Sequence, residues 1–245
     1  MPRLSLLALH GNGGGGFRFA RLAPHLPGDL LFHAPTLPGF GGRPADPQLT
    51  SLAAYAQTLV AELDSLPRPR VLLGHGIGGS LALEFLQHHA TEVDGVILHA
   101  PVGAHLERRL FPRLMNLPGA RGLGQWLFAS PLTRPLFRRL LFSRPVPPDF
   151  LNRFFEEYGR CESFGQMFDL ITAEWFAGLR PVQIPAVLLW GERERVLSAS
   201  QLPAFERLLP LAESRLIPDW DHFPMIEQPE EYTREISFLA RHLVQ

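Results

Sequence analysis

No lysine occurs among the 245 residues: all 23 positive side chains are arginine. The chain therefore carries fixed planar cations but no amine for Schiff-base or P-loop chemistry, which removes two enzyme classes. Cysteine is nearly absent as well. Cys161 stands alone, so an internal disulfide framework is excluded and a reducing compartment is expected. Long apolar runs are also missing. The N-terminal Leu4-Ser5-Leu6-Leu7-Ala8-Leu9 is shorter than a signal-peptide core and runs directly into His10-Gly11, and no run approaches about 18 residues. A cytoplasmic protein without a membrane span is expected. A formal charge of −1 gives no global field to hold nucleic acid.

What is present is an apolar fraction of 46% against 19% charged, the balance of a globular chain able to bury a full core. Short apolar runs bounded by turn residues recur at Leu4–Leu9, Leu30–His33, Val71–Gly74, Val96–Ala100, Val187–Trp190 and Arg215–Ile217. Each reads as a strand buried on both faces. Helical patterns lie between them: Leu52, Leu59 and Leu63 follow Thr50-Ser51, and Tyr232, Ile236, Leu239 and Leu243 follow Pro229. The alternation predicts an α/β fold, a mostly parallel sheet of about six strands flanked by helices, with ligands at the carboxyl ends of the strands.

That alternation breaks once, where a helical pattern rich in Leu and Phe predicts an inserted cap over residues 102–180. The core would comprise 1–101 and 181–245. The stretch from Val102 to Arg144 holds eight Arg and one acid, Glu107, a balance of +7. Two readings stay open for it. The arginines can be a solvated face with the aromatics packed on the sheet domain, or the stretch can admit an anionic, largely apolar molecule or touch an anionic membrane surface. Trp126, Phe128, Phe137, Trp175 and Phe176 are the pocket candidates.

Gly74-His75-Gly76-Ile77-Gly78-Gly79-Ser80 sits between an apolar run and a helical pattern. It fits either a G-x-G-x-x-G phosphate cradle or a G-x-S-x-G nucleophile elbow with glycine in the serine position. Gly11-Asn12-Gly13-Gly14-Gly15-Gly16 matches the cradle pattern too, and with 22 glycines such matches are frequent. A dinucleotide site needs an acid at the end of the following strand. His33-Ala34-Pro35 and His99-Ala100-Pro101 offer none, while Asp29 and Asp94 precede their strands. No dinucleotide is expected, nor any other cofactor, and no metal-ligand pattern stands out; the His88-His89 pair has no partners in sequence.

Five segments in order resemble the α/β-hydrolase superfamily. Leu9-His10-Gly11-Asn12-Gly13-Gly14 is similar to its oxyanion loop, and Leu37-Pro38-Gly39-Phe40-Gly41 to its D-x-P-G-x-G turn, with Thr36 where Asp is usual. The elbow comes third, Trp190-Gly191-Glu192-Arg193-Glu194 resembles the acid-bearing loop, and Asp221-His222-Phe223-Pro224 the histidine loop. The resemblance implies the α/β-hydrolase fold with a helical cap and, because the chain begins at the strand before the oxyanion loop, without the usual N-terminal hairpin. It implies His222 as base, Glu194 as its orienting carboxylate, and the backbone N–H groups of Asn12 and Ile77 as oxyanion donors. His10 would order the oxyanion loop and His75 shape the elbow.

The nucleophile position is Gly76, which has no side chain. Ser80 lies about one helical turn on and should point away from the cavity, and Cys161 would need its own base and donors. With no Asp at the elbow, the dehalogenase and epoxide-hydrolase variants are disfavoured. Three functions remain open: a His–Glu enzyme that activates water or moves a proton on a small apolar or amphipathic substrate, a non-catalytic ligand-binding protein, and a serine esterase inactivated by a Ser-to-Gly change.

Overall fold

The computed structural model describes residues 4–108 and 110–245, without the side chains of Phe111 and Pro112. Six strands form one parallel sheet: β1 (Leu4–Leu9), β2 (Leu30–His33), β3 (Arg70–His75), β4 (Gly95–His99), β5 (Ala186–Gly191) and β6 (Ala212–Ile217), in the order β2-β1-β3-β4-β5-β6. The chain runs outward from β1 to β2, then returns to the other side of β1 for β3. That reversal opens a crevice outside the strand ends, where ligands settle in open parallel sheets.

Helix α1 (Leu52–Asp64) starts at Ser51, whose hydroxyl accepts the Ala54 N–H at 3.1 Å. It turns Leu52, Tyr55, Ala56, Leu59 and Leu63 inward at helical spacing. Helix α2 (Ile77–His89) is buried from Ile77 through Leu86. The segment between β4 and β5 is helical, with α3 (Leu110–Met115), α4 (Ala120–Ala129), α5 (Arg134–Leu141), α6 (Pro148–Gly159), α7 (Gln166–Leu170) and α8 (Ala173–Gly178). Then come α9 (Leu202–Leu208), α10 (Pro224–Glu227) and α11 (Pro229–Leu243). Proline opens α11, Glu230 and Glu231 occupy its first turn, and Arg241 and His242 its last, all in the sense that the helix dipole favours. Among the described residues no helix is long and apolar enough to cross a membrane.

Two strands depart from the sequence reading. β6 begins at Ala212 rather than Arg215, and neither it nor β2 is buried on both faces. Both are edge strands, so Glu213 and Ser214 face solvent and break the apolar run that marks an interior strand.

Two glycines of the β3–α2 turn divide the work there. A Cβ on Gly78 would stand 2.4 Å from the Leu9 carbonyl oxygen, because α2 packs directly on β1. Gly78→Ala is therefore expected to destabilise the fold by about 1–3 kcal/mol through overpacking, measured by urea unfolding. A change within about 0.5 kcal/mol, the ordinary range of surface substitutions, would refute so close a packing. A Cβ on Gly76 would meet only the Gly11 Cα, at 3.6 Å.

Candidate active site

Four strand ends converge on one cavity. β1 runs into Gly11-Asn12, β3 into Gly76 and β5 into the loop carrying Glu194, while the loop after β6 carries His222. Gly11, Asn12, Gly76, Ile77 and His222 line a cavity of about 690 Å³, and Glu194 stands behind His222.

His222 Nδ1 donates to Glu194 Oε2 at 2.7 Å, the two side chains being 8% and 1% exposed. A carboxylate accepts only, so this bond places the imidazole proton on Nδ1 and leaves Nε2 as the basic nitrogen. Glu194 is itself fixed, its Oε1 accepting the N–H groups of Val196 at 2.6 Å and Leu197 at 2.9 Å. Burial alone would raise its pKa. The attraction and hydrogen bond of His222, with those two N–H donors, outweigh burial and hold it below the ordinary 4.5.

The depressed carboxylate has a consequence for stability. A carboxyl lowered by folding contributes stability that is complete above its unfolded value and lost as the pH falls through the folded one. The stability gap between the protein and Glu194→Gln is thus expected to narrow on acidification below about pH 4.5, as followed by thermal melts. A constant gap would show that Glu194 titrates as it does unfolded.

Gly76 holds φ 57° and ψ −118°, a backbone that side-chain-bearing residues adopt only under strain. Its own N–H donates to His99 O at 3.2 Å, and its carbonyl accepts from Gly79 and Val102 at 3.1 Å each, so the conformation is pinned from both sides. The backbone N–H groups of Asn12 and Ile77 donate to no group among the described residues, and both residues line the cavity. Asn12 is tied down through its side chain, which donates to Phe164 O at 3.3 Å and accepts from Gly13 N at 3.0 Å.

Two further histidines, His10 and His75, are held in hydrogen bonds around the site. His10 accepts the Leu37 N–H at 3.2 Å, bonds Gly11 O at 3.0 Å, and is pushed down by burial to about 4. His75 bonds His222 O at 3.0 Å, and burial holds it well below its ordinary value. Ser80 is buried, donates to Val102 O at 2.7 Å and is not among the residues that line the cavity. Cys161 is buried too, its thiol raised to about 12, so it offers no thiolate near neutral pH. Among the described residues no group of three or more His, Cys, Asp or Glu could hold a metal ion.

Of the five aromatic pocket candidates, Phe128 and Phe137 line the cavity, stacked with centroids 4.0 Å apart. The other three do not. Trp126 is 60% exposed; the Trp175 indole donates to Glu84 on α2 at 2.7 Å; Phe176 packs edge-on against Phe205 at 5.2 Å. Trp175 and Phe176 thus follow the packing reading, not the pocket reading. The sequence reading missed Tyr158, Phe164, Met167 and Ile171 on the cavity wall, and Arg113 and Arg195 at its exposed rim. It also missed Arg18, buried 3.5 Å from the Phe154 ring centroid and from Glu157, and donating to Gly13 O at 3.3 Å. Nothing in the sequence around it, Phe17-Arg18-Phe19, sets it apart from Arg21 three residues on.

The family model described as the alpha/beta hydrolase family matches residues 6–235. The chain is similar to a pimeloyl-[acyl-carrier protein] methyl ester esterase of Aromatoleum aromaticum, 27% identical over 98% of this chain and 100% of that one. A protein of the same name from Chromobacterium violaceum is 26% identical over 97% and 93%. Among solved structures, a variant of an epoxide hydrolase from Bacillus megaterium superimposes with a TM-score of 0.79 at 13% identity, covering 97% of this chain and 93% of that one. At such identity the likeness concerns the fold alone.

Proposed function

The chain belongs to the alpha/beta hydrolase family, and from that premise we propose that it hydrolyses an ester of a small apolar or amphipathic acyl group with water that His222 activates directly. The observation that carries this reading is the buried His222–Glu194 pair, joined at 2.7 Å and opening on an apolar cavity beside two unengaged N–H groups. A water molecule takes the volume above Gly76 that a serine side chain would fill. His222 Nε2 accepts its proton as the oxygen attacks the ester carbonyl carbon, and Glu194 stabilises the imidazolium. The N–H groups of Asn12 and Ile77 hold the developing oxyanion. On collapse the ester C–O bond breaks, and the proton on His222 passes to the leaving alkoxide, giving an acid and an alcohol.

Residues 102–180 act as a cap, its walls of Phe128, Phe137, Leu141 and Met167 selecting an apolar acyl chain. The relatives' name makes a methyl ester of a carrier-linked acyl chain the first substrate to try. The test is turnover of an ester panel by the protein and by His222→Ala: turnover that depends on the imidazole is expected, and turnover equal in both proteins, or in neither, overturns the reading.

A further inference from the structure

The helical segment between β4 and β5 exposes apolar side chains that no described residue covers. Leu117, Leu123, Trp126, Leu132, Leu136 and Leu140 are each more than half exposed. On α5 the inward face is already accounted for, since Phe137 and Leu141 line the cavity. Leu136 and Leu140, one turn apart, share a stripe on another face of that helix, and Leu132 precedes the helix by two residues. A surface helix ordinarily carries polar side chains there.

The stretch that carries these side chains is also basic. Arg113, Arg138, Arg139 and Arg144 pair with no carboxylate among the described residues, while Arg109, also of this stretch, lies outside them. The stretch from Val102 to Arg144 carries eight Arg against Glu107 alone in a chain whose net charge is −1. The cavity opens beside this face, because Leu140 and Arg113 are both exposed and both line it.

We propose that this face rests on the surface of an anionic lipid bilayer. Trp126, Leu132 and Leu136 enter the headgroup boundary, Arg139, three residues on from Leu136 and so beside it on α5, meets lipid phosphates, and the cavity receives its amphipathic ligand from the bilayer. Apolar side chains interleaved with fixed cations are what such an interface takes up. A second copy of the chain would set two strongly cationic faces against each other, and an acidic protein would satisfy the arginines while leaving the leucine stripe without an apolar partner. The inference rests on this surface and not on the chemistry assigned to His222, so it is read without turnover.

The experiment is sedimentation of the full chain with vesicles of phosphatidylglycerol and phosphatidylcholine, against vesicles of phosphatidylcholine alone, at low and high salt. Binding to the anionic vesicles that weakens with salt is expected, with a blue shift of tryptophan emission that Trp126→Phe removes. Arg139→Gln should weaken binding about fivefold, and Leu132→Ser with Leu136→Ser about tenfold or more, with thermal melts unchanged. The vesicle comparison and the emission shift of the unmodified chain stand even if a variant misfolds. No bound protein, equal binding to both vesicles, or a dimer in light scattering that the leucine pair abolishes overturns the proposal.

Discussion

Gly76→Ser is expected to raise turnover of short activated esters on the order of 10³-fold or more, and to make the chain label with a fluorophosphonate, because removal of the serine from a comparable triad costs about 10⁶. Three features of the turn favour the gain. Its backbone already holds φ 57° and ψ −118°, fixed by hydrogen bonds to His99, Gly79 and Val102. The new Cβ meets nothing closer than the Gly11 Cα at 3.6 Å, an ordinary contact. The base and both candidate oxyanion donors line the cavity that the side chain would enter. The substitution should also cost about 1–3 kcal/mol of stability, the strain that glycine relieves at positive φ. Stopped assays with and without the label measure both arms. If the unmodified chain is inert on every ester and only the serine form turns over, the water mechanism fails and the protein is an esterase silenced at one position. If neither form turns over or labels, the site is not aligned for acyl transfer.

The interior of the sheet was legible because strands covered on both faces must be continuously apolar. β1, β3, β4 and β5 meet that demand, and β6 at the edge does not. The pair His222 and Glu194 was legible only through the order of five segments, since a histidine and a glutamate in two loops carry no periodicity. The structure adds what holds Glu194 in place, the N–H groups of Val196 and Leu197, which any residues but proline at those positions would supply.

The cavity wall was the least legible part. Trp126 and Phe128 lie two residues apart on α4, so their side chains point about 200° apart and only one can face inward. Composition names both. Which one enters depends on how α4 packs on α6 and beside α5, and short helices with apolar residues on two faces leave that choice to tertiary contacts. The arginine surplus is plain in the composition but the place of Arg18 is not, because a buried cation is set by its neighbours Glu157, Phe154 and Gly13, which come from two distant parts of the chain.

His222→Ala is expected to lower kcat by about 10²–10⁴, the usual contribution of a positioned general base, with KM nearly unchanged. The split follows from where the ring sits. The apolar wall proposed to hold the acyl chain, Phe128, Phe137, Leu141 and Met167, is not altered by the substitution, so ground-state binding should persist. What disappears is the proton acceptor, and with it the partner of a carboxylate that is 1% exposed. Glu194 keeps its two backbone donors, so the loop should hold its shape, and thermal melts of the variant separate a lost base from a lost fold. Glu194→Gln tests the same pair from the other side: its single oxygen must serve either Nδ1 or the N–H groups of Val196 and Leu197, and the charge that stabilises the imidazolium is gone, so its loss should fall on kcat as well. A rise in KM with kcat intact in either variant would assign the pair to binding and remove it from the chemistry.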